Sequence, residues 1–180
     1  MIARQSRLLT LDEFLEQPET EPYTELIDGV LEQKPVGKKP HSRSQLRIAL
    51  LLLEHPATKG GSAWPELGLR FPNTAAGNLR VPDLSYYLPG NIDEDDDEDY
   101  PARPPDLCVE VRSKGQSAAG QQDRLAFLRE QSVGCTLLID PEARTVEVYD
   151  RGRAWVASAK DEVVLSGLGG FTFRVGELFA

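Results

Sequence analysis

The sequence contains little cysteine, little histidine and no long apolar run. Its 180 residues include only 2 cysteines and 2 histidines, which rules out a disulfide framework and a zinc knuckle. No stretch approaches the roughly 20 apolar residues of a membrane-spanning helix. The opening "MIARQSRLLTLDEFLEQ" has early acidic residues and no continuous apolar segment, unlike a secretory signal. We therefore expect a cytoplasmic protein without a membrane partner, in which Cys108 and Cys135 are buried, reduced thiols.

The sequence also lacks an excess of basic residues. Its net charge is −9, which is awkward for a nucleic-acid-binding protein, because affinity for phosphate comes mainly from lysine and arginine. The run "DEDDDED", Asp93 to Asp99, accounts for most of this charge, and we predict a flexible acidic loop at 91–104. Four basic residues are the best candidates for a phosphate-binding patch: Lys38, Lys39, Arg43 and Arg47. In the alternative interpretation they form a solvated face.

Apolar periodicity and turn signals predict one mixed α/β (α+β) domain over residues 1–180. A capping box at Thr10 and Glu13 predicts a helix at 11–17, and Asp28-Gly29 predicts an N-terminal hairpin. Leucines at helical spacing predict a helix at 42–55, and its inward face is expected to hold Leu46, Ala49, Leu50 and Leu53. The remaining elements follow in order: strands in "SAWPELGLRFP", "LRVPDLSYYLPG" and "PDLCVEVRS", a helix at 117–131 with Leu125 and Leu128 inward, the strand "CTLLID", a C-terminal hairpin around 150–153, and a last strand in "FTFRVGELF".

Two carboxylates interrupt consecutive predicted strands. Asp83 follows a proline in "LRVPDLSYYLPG", and Glu110 lies within "PDLCVEVRS". Consecutive strands commonly pair, so two side chains on one face would converge. Carboxylates that close repel each other unless a cation lies between them, and oxygen ligands suit Mg²⁺ or Mn²⁺. Such an ion can promote phosphodiester hydrolysis. In the alternative interpretation each carboxylate is merely solvated.

Several blocks in order resemble the Uma-two family of restriction-endonuclease-like proteins, within the PD-(D/E)XK nuclease superfamily: "YTELIDGVLE", "RVPDLSYY", "PPDLCVEVRS", "TLLIDPEARTVEVYD" and "LSGLGGFTFRVGELF". The resemblance implies a restriction-endonuclease-like mixed sheet flanked by helices. It also implies that Asp83 and Glu110 bind Mg²⁺ or Mn²⁺, with the Val111 carbonyl as a third ligand. Glu25 would be a further acid near the site, and His41 stands where the family has a histidine.

The chain departs from the family at the catalytic lysine, whose position on the following helix is occupied by Arg124. Arginine stays charged and cannot act as a base, although Arg124 and Arg112 can both stabilise developing negative charge. The resemblance therefore implies a Mg²⁺-dependent endonuclease acting on DNA, and the arginine at the lysine position leaves weak or lost activity open. Two alternatives stay open: a catalytically silent module that binds protein or nucleic acid, and a structural subunit of an oligomer. The resemblance is also compatible with a homodimer.

Overall fold

The computed structural model describes residues 8–74, 77–93, 98–113 and 116–180. The helices are α1 (Leu11–Leu15), α2 (Lys39–Glu54) and α3 (Ala118–Glu130). The strands are β1 (Thr24–Ile27), β2 (Val30–Gln33), β3 (Ser62–Pro65), β4 (Leu69–Phe71), β5 (Asn78–Arg80), β6 (Leu84–Tyr87), β7 (Leu107–Val111), β8 (Cys135–Asp140), β9 (Thr145–Asp150), β10 (Arg153–Ser158), β11 (Glu162–Leu165) and β12 (Phe171–Arg174). Contacts divide the described residues into two compact units, one drawn from 1–36, 68–81 and 98–103, the other from 37–67, 82–97 and 104–180.

The first unit consists of α1 and a four-stranded sheet in the order β2-β1-β5-β4. The predicted capping box is present, since Thr10 and Glu13 exchange bonds with each other's backbone N–H groups. Strands β1 and β2 form the predicted hairpin, and Asp28 and Gly29 both have positive φ angles, as a two-residue turn requires. Leu26 and Leu79 are buried in this unit's small core.

The second unit is built on a six-stranded mixed sheet in the order β10-β9-β8-β7-β6-β3. Only β7 and β8 run parallel within it, and α3 makes the crossover that a parallel pair requires. Leu125 and Leu128 of α3 are buried, as predicted, and Ser117 caps that helix. Strands β9 and β10 form the predicted C-terminal hairpin. The mixed sheet flanked by helices confirms the expected fold class.

Two predicted strands are each divided between the two units. "SAWPELGLRFP" becomes β3 and β4, because Glu66 adopts a positive φ of 55° directly after Pro65 and redirects the chain. "LRVPDLSYYLPG" becomes β5 and β6, which are separated at Pro82, whose missing N–H cannot continue a ladder. Both divisions follow from residues that disfavour a continuous strand.

The inward orientation predicted for the leucines of α2 was wrong, whereas Ala49 packs against the main core. Leu46, Leu50 and Leu53 are exposed, whereas Ile48 and Leu52 are buried against the main core. Helical spacing could not choose between these two apolar faces, because both recur at intervals of three or four residues. The helix also begins earlier than predicted, at Lys39, since proline is well tolerated in a first turn.

Both cysteines are free and buried, as predicted. Four residues of the predicted acidic loop, 94–97, lie outside the described residues. None of the helices in the described ranges is both long and apolar enough to span a bilayer.

The two faces of α2 differ in what they contribute to stability. Leu52 is 0% exposed and Leu46 is 60% exposed. We expect Leu52→Ala to lower the free energy of unfolding by about 2–5 kcal/mol through lost burial and a residual cavity. Leu46→Ala, on the same helix, should change it by no more than about 0.5 kcal/mol. Urea denaturation measures both, and equal losses would contradict the assigned orientation of α2.

Candidate functional site

Asp83 lies just before the central strand of a group of three. Strand β6 pairs antiparallel with β3 through Pro65 and Leu84, and with β7 through Leu84 and Val109. Continuing both registers by one residue places Asp83 beside Glu66 on one side and beside Glu110 on the other. Three carboxylates thus occupy the same level of three neighbouring strands. Sequence analysis anticipated two of them.

The Asp83 carboxylate is 2% exposed and is positioned by backbone and side-chain contacts. Its Oδ2 accepts a 2.6 Å hydrogen bond from the Val111 N–H, and its Oδ1 lies 3.5 Å from His41 Nε2. Its backbone carbonyl accepts bonds from Gln45 Nε2 at 2.5 Å and from the Glu66 N–H at 3.3 Å. Asp83 therefore connects β7, α2 and the end of β3.

His41 is oriented by a bond on its other ring nitrogen. It is buried in the first turn of α2, and its Nδ1 lies 3.1 Å from Ser113 Oγ. When Nδ1 carries the proton it donates to Ser113, and the Nε2 lone pair is then directed towards Asp83. This is the arrangement of histidines that bind metals, whose second nitrogen is held by a hydrogen bond.

His41, Glu66 and Asp83 form a group that fits a divalent cation. One ligand atom from each residue lies within 4.8 Å of the other two, close enough for all three to contact one ion. An imidazole with two carboxylates is a donor set that first-row metals such as Mn²⁺ accept readily, whereas Mg²⁺ prefers oxygen ligands throughout. The burial of Asp83 and His41 strengthens any interaction with a cation, because the local dielectric is low.

Glu110 is paired with a cation that the protein itself supplies. Its Oε1 accepts a 2.5 Å charge-assisted bond from Arg124 Nε on α3. Burial, followed by the negative charge of Glu110, raises the pKa of the neighbouring Cys108 thiol, so this cysteine is an uncharged neighbour of the pair. The structure thus brings Asp83 together with His41 and Glu66, and Glu110 together with Arg124.

The remaining predicted site residues have structural partners. Arg112 binds Gln121 Oε1 at 2.7 Å and Asp140 Oδ2 at 2.8 Å. Val111 contacts Asp83 through its N–H, while its carbonyl was the predicted ligand. Glu25 is buried in the first unit and accepts a bond from the Val81 N–H at 2.5 Å. The functional roles expected for these three residues stay predictions.

Glu66 and Gln45 were not predicted from the sequence. Glu66 lies in "WPELG", inside a segment predicted to be one strand, and no motif distinguishes it. The proline before it and the glycine two residues after it indicate a break in the strand, but they do not indicate an approach to Asp83. Gln45 lies one turn after His41, at the i+4 position of the same helix face.

A cleft of about 700 Å³ opens beside His41. Its walls come from the start of α2, the segment after β7 and the β8–β9 turn, and include Lys38, Arg112, Ser113, Gln116, Asp140 and Glu142. Cations and carboxylates are both present, so the cleft is electrostatically mixed. It gives a substrate room to approach the His41 side of the group.

Comparison with known proteins supports a nuclease-like protein. The family described as "Putative restriction endonuclease", Uma2, matches residues 11–176, and the chain belongs to that family. A crystal structure described as a putative nuclease belonging to DUF820, from Anabaena variabilis ATCC 29413, is similar to it. The two share 28% sequence identity with a TM-score of 0.80, over 95% of this chain and 97% of that chain. No curated protein matches the chain.

We expect Mn²⁺ binding to depend on the three-residue group. Asp83→Asn should weaken Mn²⁺ affinity at least about tenfold, because it removes a charged ligand, and Glu66→Gln should also weaken it. Glu110→Gln should have a smaller effect than Asp83→Asn, since Arg124 already neutralises Glu110.

Isothermal titration calorimetry provides the measurement. Asp123→Asn, at an exposed carboxylate on α3, is the matched control and should bind Mn²⁺ like the wild type. Wild-type affinity in Asp83→Asn would rule out the group as a metal site.

Proposed function

We propose that this protein is a divalent-metal-dependent endonuclease that hydrolyses DNA phosphodiester bonds. The observation that carries the proposal is the group formed by His41, Glu66 and Asp83, in a chain of the "Putative restriction endonuclease" family. We further propose that residues 1–180 act as one domain, in the cytoplasm, with DNA as the substrate. A homodimer is compatible with this proposal.

The proposed ion is held by His41, Glu66 and Asp83, with Glu110 as an additional acid. We favour Mn²⁺ over Mg²⁺ because one donor is an imidazole nitrogen. When bound, such an ion polarises the phosphoryl group and makes water a stronger nucleophile. The Val111 N–H and the Ser113 hydroxyl hold Asp83 and His41 in orientation before substrate arrives.

Arg124 is the proposed source of positive charge for the transition state. Its guanidinium is bound to Glu110 through Nε. Its other N–H groups can donate hydrogen bonds to phosphate oxygens and stabilise the negative charge that develops there. It cannot remove a proton from water, since arginine stays protonated in proteins. Arg112 is a weaker candidate, because its guanidinium is bound to Asp140 and Glu147. Because neither arginine can act as a base, we expect a slow enzyme.

The alternative is a catalytically silent member of the family that binds nucleic acid or protein. The observation favouring it is that both central acids have cationic or ionisable partners within the protein. Asp83 lies beside His41 and Glu110 beside Arg124. If His41 is protonated, the two pairs reduce the repulsion among Asp83, Glu66 and Glu110 that would otherwise favour a bound metal.

Cleavage of supercoiled plasmid tests the proposal. We expect wild-type protein to nick plasmid with Mn²⁺ and more slowly with Mg²⁺. Asp83→Asn should lower the rate by about 100-fold or more through loss of transition-state charge stabilisation. Asp123→Asn serves as the control and should cleave normally. Equal cleavage by Asp83→Asn and wild type would reveal a contaminant, and wild-type protein without cleavage would favour the silent alternative.

Arg124→Lys separates a slow enzyme from an inactive one. A lysine keeps the charge beside Glu110 but can also exchange a proton, so we expect the Mn²⁺-dependent rate to rise about tenfold. Arg129→Lys, on the same helix and stacked on Tyr149, is the matched control and should leave the rate unchanged. A lower rate in Arg124→Lys would mean that the guanidinium itself is needed.

A further inference from the structure

A second, smaller concavity lies next to the His41 cleft and is lined by cations without acids. Its volume is about 160 Å³, and its charged lining residues are Lys39, Arg43 and Arg144. Pro40 and Pro141 line both concavities, so the two adjoin. Three cations around one small concavity are unusual in a chain whose net charge is −9.

Within the described residues, these three cations differ from Arg112 and Arg124 of the second unit in having no acidic partner. Arg112 and Arg124 are both ion-paired. Within the described ranges, no ion pair involves Lys39, Arg43 or Arg144. Like charges gathered without compensation repel one another, and an anion placed among them would relieve that repulsion.

The guanidinium of Arg144 is held in position before any ligand arrives. It lies 5.1 Å from the centroid of the Phe179 ring, a cation–π contact. Arg144 also ends the β8–β9 turn with a positive φ of 54°, a conformation in which arginine is uncommon. That turn is fixed by Asp140, whose Oδ1 accepts the N–H groups of Glu142 and Ala143 at 2.9 Å each.

The floor of the concavity is also anchored. Ser44 Oγ donates to the Leu178 carbonyl at 3.3 Å, and Arg47 donates to the Ala180 carbonyl at 3.2 Å. Arg47 was one of the residues expected to contact phosphate from the sequence. In the structure Arg47 donates to the carbonyl of Ala180 and does not line the concavity, whereas Arg144 lines it beside Lys39 and Arg43.

The size of the concavity is compatible with a single phosphate group. About 160 Å³ corresponds to roughly five water molecules at about 30 Å³ each. Arginine forks match phosphate oxygens in two-point contacts, with lysine adding a point charge.

The first two turns of α2 present one pair of residues to Asp83 and another pair to the concavity. His41 and Gln45 contact Asp83, while Lys39 and Arg43, four residues apart, line the concavity. We propose that Lys39, Arg43 and Arg144 form an anion pocket that binds a non-scissile backbone phosphate of DNA, next to the cleft that His41 lines. This inference rests on the proposed function, because it takes the same DNA as substrate.

The test compares two triple variants with equal charge change. Lys39→Gln/Arg43→Gln/Arg144→Gln removes the anion pocket, and Lys59→Gln/Arg153→Gln/Lys160→Gln removes three exposed cations elsewhere on the second unit. Fluorescence anisotropy with a short labelled duplex, over a range of salt concentrations, measures affinity. We expect the pocket variant to bind at least about tenfold more weakly, with a salt slope shallower by about 1, and the control to stay near wild type.

Three further readouts separate the possible failures. Mn²⁺ titration of the pocket variant should match wild type, which would show that the group of His41, Glu66 and Asp83 is intact. If the pocket variant binds DNA like the control, the inference fails while plasmid cleavage still tests the nuclease. If inorganic phosphate binds the wild type and is lost from the pocket variant, yet DNA affinity is unchanged, the pocket is a free-anion site and the inference fails. If wild-type protein neither binds nor cleaves DNA, the proposed function fails and the inference with it.

Discussion

The hydrogen bond from the Val111 N–H to the Asp83 carboxylate is the contact on which the candidate site depends. Pro82 ends the ladder of β5, and the side chain of Asp83 takes a backbone donor of β7. The carboxylate is thereby held at the level where β3, β6 and β7 adjoin. A shift of the β6–β7 register by one residue would turn neighbouring side chains to opposite faces and separate the Asp83 carboxylate from the Val111 N–H and from Glu110. The site is therefore a consequence of strand register, and the buried core that fixes the register also fixes the chemistry.

Electrostatics in the site balance two demands. Buried carboxylates need compensation, and the protein supplies part of it from α2 through His41 and part from α3 through Arg124. Full compensation by protein cations would leave no net attraction for a metal ion. The proposed metal site requires the neutral form of His41, which offers a lone pair and leaves Asp83 and Glu66 to attract the ion.

Much of this fold follows from the sequence by local rules. The hairpin at Asp28-Gly29, the cap at Ser117 and the buried strand β8 are each specified within a few residues. The inward orientation predicted for the leucines of α2 was wrong because two apolar faces compete on one helix and only tertiary packing selects between them. Asp83 and Glu110 were identifiable because carboxylates are unusual in strands. Glu66 was not identifiable, since its approach to Asp83 depends on a positive φ angle after β3 and on strand pairing, neither of which is written in a motif.

The cations are unevenly distributed over the molecule, which its net charge does not reveal. Arg112 and Arg124 are paired with carboxylates, whereas Lys39, Arg43 and Arg144 are gathered without acids beside Pro40 and Pro141. Exposed cations that repel one another lower the stability of the free protein, and a bound anion offsets that repulsion. In the proposed nuclease, an acidic protein that acts on DNA needs local attraction, because its average field is repulsive. The proposed anion pocket would supply that attraction next to the His41 cleft.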